Sequence, residues 1–395
     1  MTIERTVLIP LQNGVGIEQV NTCYAQRAGL RLFQVYALTA GDDAFGAFYQ
    51  RTSDDNGRTW SQPTALFEPE QTQDGIVRRG ESALFLDEER DALIHVYNHA
   101  LYPAGHFTGD VERFTRVFVR ISRDGGRTFG PDAQVVEKRF DPEHWASEIV
   151  YGWNSMPISF CAPVKTSDGC LLLPVQRCPL GSDFNNPGAI KWQAGCVIGR
   201  WLGDTLEWEL NEMVCLPADV SSRGLCEPAI AELSDGALLM ICRGSNAGLP
   251  DVPGYKWYSM SRDGGCVWSP PAPMTYADGR EFFSPATGSR LVRHSRNGRL
   301  YWIGNIVPDY PDGNRPRYPL QIAEVDEDKR ALISETVRVI EDRRTKDPPL
   351  VQFSNFRVYE DRETGEFVLT MARFQERGEH DLNSPAYQYR IPIPG

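Results

Sequence analysis

Short apolar runs alternate with polar residues along the whole chain, and Gly, Asp or Asn interrupts them every few positions. Residues 20–25 and 30–36, joined through Ala28-Gly29, predict a hairpin, because period-two alternation on either side of a glycine turn suits two antiparallel strands. Residues 46–51 predict a third strand and 64–67 a fourth. The plan returns at 82–86, 92–97 and 115–120. Further turns between apolar runs fall at Ser167-Asp168-Gly169, Ser234-Asp235-Gly236, Arg296-Asn297-Gly298 and Glu363-Thr364-Gly365. No helical period of useful length competes. The last repeat, 368–371 and 386–391, ends without an outer strand, and residues 5–11 form a strand with no repeat of their own. The N-terminal strand is therefore expected to complete the last sheet and leave no open edge.

An octet marks the repeats. Ser53-Asp54-Asp55-Asn56-Gly57-Arg58-Thr59-Trp60 has the form Ser-x-Asp-x-Gly-x-Thr-Trp. It returns at Ser122–Phe129 with Phe last, and at Ser261–Trp268 with Val267 in the Thr place. The second and third copies stand about twice as far apart as the first and second. A worn copy is expected between them, at Gly203-Asp204-Thr205-Leu206-Glu207-Trp208. Gly57, Gly126 and Gly265 supply turn dihedrals that a Cβ would penalise. The Asp and Ser side chains can bond local N–H groups, and the aromatic residue anchors the turn between sheets. An internal repeat of this length implies one closed array. The expectation is a single domain over 1–395, all-β, a six-bladed β-propeller of four-stranded antiparallel blades.

Composition narrows the function. The chain has 395 residues, 41% of them hydrophobic, and a net charge of −12. That charge argues against nucleic acid as a partner. No apolar run approaches a membrane span, so no membrane partner is expected. The first residues carry no basic or apolar leader, so a cytoplasmic location is expected. Nine Cys lie scattered without a C-x-x-C pair (Cys161, Cys170, Cys196 and Cys242 inside predicted strands), which suggests buried thiols in a reducing compartment. Neither a metal nor a cofactor is expected. The oligomeric state is left open.

In a propeller, polar residues at the starts of inner strands and the ends of second strands crowd one mouth. Glu81 and Glu227 occupy one repeat position, with Asn154 and Asn355 close to the corresponding places in blades 3 and 6. Paired carboxylates across a cleft are what glycoside hydrolysis needs, so Glu81 and Glu227 are candidate catalytic groups and Arg79, Asn154 and Asn355 candidate sugar contacts. Arg177, Arg243 and Arg373 each end an apolar run, and convergent guanidinium forks suit a carboxylate ligand. His95, Tyr97 and His99 alternate along one strand and share a face, with His106 in the next loop; His99 is the candidate for proton transfer there. No third ligand at defined spacing accompanies them, so a metal is not expected. Asp42 and Asp43 lie in a short acidic loop that could reach a bound ligand.

The octets and the blade count resemble the sialidase superfamily, whose octet is called the Asp-box. Glu227 followed by Arg243 is similar to the family's Glu and Arg pair, and Asp43, shortly before the first octet, matches the family's general acid/base. Two positions depart from the family. No Arg stands in the first inner strand, Asn21-Thr22-Cys23-Tyr24, and Phe353 stands where a nucleophilic Tyr is expected. The resemblance implies a carbohydrate-active enzyme, an exo-glycosidase hydrolysing an acidic (sialic-acid- or uronate-like) sugar. Asp43 and Glu227 would be the catalytic carboxylates, with Arg177, Arg243 and Arg373 on the substrate carboxylate. Two alternatives remain: a lyase or other glycoside hydrolase working through His95, Tyr97 and His99, and a non-catalytic sugar-binding propeller.

Overall fold

The computed structural model describes residues 2–41, 43–104, 114–160, 162–179 and 191–395. Asp42, His106 and Cys161 lie outside the described residues. Six antiparallel sheets form the blades of a six-bladed β-propeller. Their innermost strands are Ile17–Tyr24, Gly75–Asp87, Val164–Lys165, Cys226–Glu232, Arg290–Arg293 and Phe356–Glu360, one for each of blades 1 to 6. Two blades exceed the four-strand plan: Glu70–Thr72 pairs with the inner strand of blade 2, and Arg338–Glu341 joins the third strand of blade 5.

The ring closes as its unpaired ends required. Glu4–Ile9 runs antiparallel to Ala386–Ile391 and becomes the outer strand of blade 6. Arg5 fixes the seam by bonding Glu341 of blade 5 at 2.8 Å. Apolar faces of neighbouring blades then pack on each other. Leu172, Ala194 and Ile198 of blade 3 meet Ile230, Leu238 and Met240 of blade 4 in one cluster, with Trp268 of the third octet buried among them.

Each octet follows the third strand of its blade (Ala44–Ser53, Phe114–Ser122 and Lys256–Ser261). The Ser53 hydroxyl donates to Asp55 at 2.8 Å and accepts the Gly57 N–H, also at 2.8 Å. Asp55 then takes the hydroxyl and N–H of Thr59 at 2.6 and 2.8 Å. Those bonds, with one from Ser53, hold the Asp55 carboxyl down at about 2. Ser122, Asp124 and Thr128 repeat the cage. In the third copy Val267 offers only its N–H to Asp263, because it has no hydroxyl. The worn copy occupies the same topological place between the third and outer strands of blade 3, Gln193–Leu202 and Thr205–Leu210. It is a bare hairpin turn, although its Trp208 is still buried.

A second repeated device joins blade to blade. In blades 3, 4 and 5 the turn after the inner strand is gripped by a carboxylate of the following blade. Ser167 gives its N–H and hydroxyl to Glu232 (2.8 and 2.7 Å), Ser234 to Glu327 (2.7 and 3.0 Å) and Ser295 to Glu360 (2.8 and 2.5 Å).

The octet glycines separate two costs. Gly126 and Gly57 both have positive φ, but a Cβ at Gly126 would lie 2.6 Å from the Phe33 ring, whereas at Gly57 its nearest neighbour lies at 3.4 Å. Gly57→Ala is expected to cost about 1 kcal/mol, the left-handed backbone penalty. Gly126→Ala is expected to cost about 3 kcal/mol, because overpacking adds to that penalty. Chemical denaturation of the two variants checks the order, and equal losses would contradict it.

Candidate active site

At one mouth of the channel a cavity of about 400 Å³ receives residues from all six blades. Its wall starts from one repeat position. Gln19, Glu81, Phe160, Glu227, Gly288 and Asn355 come one from each blade in order, and all six line the cavity. The first four have left-handed backbones, with φ of 55, 41, 47 and 50°. In blades 1, 2 and 4 the position coincides with a break in register: between Glu18 and Asn21, between Gly80 and Ser82, and between Cys226 and Ala229. A bulge re-aims a side chain that the pleat would direct into the neighbouring blade. Strand geometry thus delivers Gln19, Glu81 and Glu227 to the channel.

Blade 5 contributes a glycine for a steric reason. A Cβ at Gly288 would stand 2.2 Å from the ring of Phe160. That ring crosses from blade 3 and packs edge-on to Phe356 at 5.1 Å, with the Arg290 and Arg357 guanidinium groups 4.2 and 4.8 Å from its centre.

Charge fills the rest of the wall. Glu227 and Arg243 form a pair at 2.5 Å. Burial works against the Arg243 charge, yet Glu227 raises its pKa overall. Arg317 gives one N–H to Gln352 at 2.7 Å. Its pKa is pulled down to about 10, first by burial and then by the like charge of Arg243. Beside the cavity Arg357 bonds Glu81 at 3.0 Å and Asn21 at 3.1 Å, and also reaches Gln19. Burial raises the Glu81 carboxyl; Arg357 opposes this, while Glu227 and Asp43 add to it. These carboxylates therefore sense one another within one site. Asp43 sits exposed on the rim, at the turn between Leu32–Gly41 and Ala44–Ser53, with φ 49°.

The BNR repeat-like domain matches residues 47–358. The chain belongs to the BNR repeat-like family. Its propeller is similar to those of a Hadza microbial sialidase, Hz136 (13% identity, TM-score 0.66, covering 98% of this chain and 68% of that one) and of Trypanosoma rangeli sialidase (13%, 0.64, 99% and 59%). It is also similar to an intramolecular trans-sialidase from Ruminococcus gnavus in complex with oseltamivir carboxylate (12%, 0.61, 99% and 94%). No curated protein matches the chain by sequence.

This BNR-repeat propeller brings together five of the residues singled out from sequence: Asp43, Glu81, Glu227, Arg243 and Asn355 all line the cavity. Others lie elsewhere. Asn154 is buried, and its amide bonds the Glu148 and Cys178 carbonyls at 2.7 and 2.9 Å. Phe160 holds its repeat place, because blade 3 has a longer segment before its inner strand. Arg177 turns away from the cavity to Gln193 and Glu148. Its neighbour Gln176 faces in, since alternate strand residues take opposite faces, and it accepts the Glu227 N–H at 3.0 Å. Arg373 is enclosed by Asp347, Glu376 and Glu341 at 2.7, 3.0 and 3.6 Å; Phe374 lines the cavity instead. Phe353 faces the core, between the cavity residues Gln352 and Ser354. No tyrosine lines the cavity among the described residues.

The face of His95, Tyr97 and His99 is a packing face. His95 stacks with Phe67 of blade 1 at 6.2 Å, Tyr97 packs tilted against the same ring at 4.7 Å, and His99 lies against Phe118 at 5.6 Å. Arg79 belongs to the same face, 3.6 Å from Glu70. None of the four lines the cavity.

Gln19, Phe160, Gln176, Arg223, Arg317 and Gln352 are cavity residues that sequence reading missed. For Gln19 and Phe160 a signal existed: each stands nine or ten positions before the glycine of the next hairpin turn, as Glu227, Gly288 and Asn355 do. Arg317 comes from the loop before the third strand of blade 5, where no repeat marks it.

The histidine face generates a pH prediction. His95 is fully buried, and its Nδ1 accepts the Arg120 Nε–H at 3.0 Å. Burial and then Arg120 hold its pKa well below 6.5, and burial with Arg79 and Arg116 lowers His99 to about 4. The unfolded chain therefore takes up more protons as pH falls through 6.5, and folding stability drops between pH 6.5 and 4. His95→Gln keeps an acceptor for Arg120 but does not titrate. Its melting temperature is expected to fall less steeply over that interval than that of the unaltered protein, and parallel curves would refute the assignment.

Proposed function

We propose that the cavity is the active site of a glycoside hydrolase acting on an acidic sugar, sialic-acid-like or uronate-like. The supporting observation is that two guanidinium groups, those of Arg243 and Arg317, line one cavity. Two such cations suit a carboxylate, which can accept from both guanidinium groups. Asp43, on the rim, serves the leaving-group side in this reading. It gives a proton to the glycosidic oxygen as the bond breaks and then takes one from the incoming water. Glu227, paired with Arg243, faces the positive charge that develops at the anomeric carbon. With no tyrosine among the described lining residues, attack falls to Glu227 or to a water that Glu227 orients.

The relatives named sialidase or trans-sialidase support this reading by their fold. The rival is a non-catalytic sugar receptor, favoured by the ion pairs that already engage Glu227 and Glu81.

Aryl glycosides of sialic and uronic acids test the proposal. Asp43→Asn and Glu227→Gln are each expected to lower kcat at least ~100-fold, and Asp42→Asn to leave it within a few-fold. Arg317→Lys is expected to raise KM for an acidic glycoside while neutral glycosides stay poor substrates. Full turnover by Glu227→Gln would overturn the assignment. A glycan that raises the melting temperature without any product would favour the receptor.

A further inference from the structure

We infer that Lys256, buried behind the cavity wall, is a positioning residue whose ammonium group holds the blade 5 segment from Pro285 to Gly288 in place, and that losing its proton releases that segment. The inference rests on the cavity being the functional site proposed above.

Lys256 belongs to the third strand of blade 4 and is the register partner of Arg243. Its relative exposure is 0%. A lysine that deep normally has a carboxylate beside it. Here, among the described residues, no ion pair reaches it within 4.0 Å. Its Nζ donates instead across the blade boundary, to the Pro285 carbonyl at 3.2 Å, the Thr287 hydroxyl at 3.3 Å and, most closely, the Thr287 carbonyl. Three donors thus meet three acceptors on one short segment of the next blade, and that segment ends in the cavity-lining Thr287 and Gly288.

The segment needs such an anchor. Its backbone makes few ladder bonds, because the inner strand of blade 5 begins only at Arg290. Ser284 N–H reaches Gly254, Ala286 N–H reaches Gly313, and Thr287 N–H folds back on Pro285. Gly288 also abuts the Phe160 ring, so a shift of this wall would move the cavity floor.

The charged groups that bear on Lys256 explain how it would respond to pH. Glu227 and Cys226 come from the inner strand of its own blade, Arg243 from the second strand and Arg317 from the blade 5 loop. Burial is the largest influence and lowers the Lys256 pKa to about 7; Glu227 opposes it, and Arg243 adds to it. The proton is therefore lost near neutrality. A neutral amine has two N–H donors for three acceptors, and it withdraws a positive charge from the neighbourhood of Glu227.

Two measurements decide the matter, one of them independent of turnover. Hydrogen exchange of a peptide spanning residues 283–290, corrected for intrinsic rates, is expected to show at least ~10-fold less protection at pH 8.5 than at pH 6 in the unaltered protein. In Lys256→Met it should be equally low at both. On an acidic aryl glycoside, kcat/KM is expected to fall on the alkaline side with an apparent pKa near 7, and in Lys256→Met this limb should vanish with activity reduced throughout. Exchange that does not change with pH in the unaltered protein overturns the inference, even if Lys256→Met fails to fold, and so does an unchanged pH profile in a folded Lys256→Met. The predicted exchange pattern with no hydrolysis of any acidic glycoside would leave Lys256 as the anchor and remove the hydrolase reading instead.

Discussion

Pairing of Glu4–Ile9 with Ala386–Ile391 is the constraint on which the rest of the molecule depends. A propeller blade cannot bury both faces alone, so each needs two neighbours, and only a closed ring gives every blade two. One seam must be made by residues far apart in sequence. Here it is made inside blade 6 by backbone hydrogen bonds and side-chain ties such as Arg5 to Glu341. Closure fixes the distance between opposite blades, and that distance sets what six side chains at one repeat position can do in the space they share.

The same geometry explains why so few residues serve the cavity. A blade offers its neighbours two faces, and these are filled by packing, including polar packing such as the His95–Tyr97–His99 row. Among the described residues, side chains reach the cavity from bulges, strand ends and connecting loops. Gln19, Glu81 and Glu227 come from bulges, Arg243 from a strand end, and Asp43 and Arg317 from connections. The strained backbones of the bulge residues are the local cost of turning a charged group away from the neighbouring blade and toward the axis.

Much of this was legible in the chain. The octets, the hairpin turns and the unmatched N-terminal strand carry the blade count and the closure, because turn chemistry is local and repeats. Glu227, Arg243 and Asp43 were legible through their distance from those landmarks. The failures have equally local causes. Arg177 and Arg373 were misassigned by a single position, which on a strand is the difference between cavity and flank. Asn154 was misplaced because the segment before the inner strand of blade 3 is longer than its counterparts, and repeat arithmetic has no access to an insertion. Arg317 carries no periodic mark at all. Lys256 reads as an ordinary strand residue, and only its register opposite Arg243 shows that it points behind the wall.

The exchange of space between Phe160 and Gly288 has a consequence for how such a site can change. One blade surrenders its side chain so that another can send a ring across the axis. The two positions therefore form a single unit of variation even though 128 residues separate them in the chain. Any larger residue at 288 would have to arrive together with a smaller one at 160, and the new side chain would then enter from the opposite wall. Arg290 and Arg357, now covered by the ring, would be bared at the same stroke. A paired substitution would thus convert an apolar floor into a cationic one, and the ligand chemistry of the propeller could change abruptly while its blades stayed as they are.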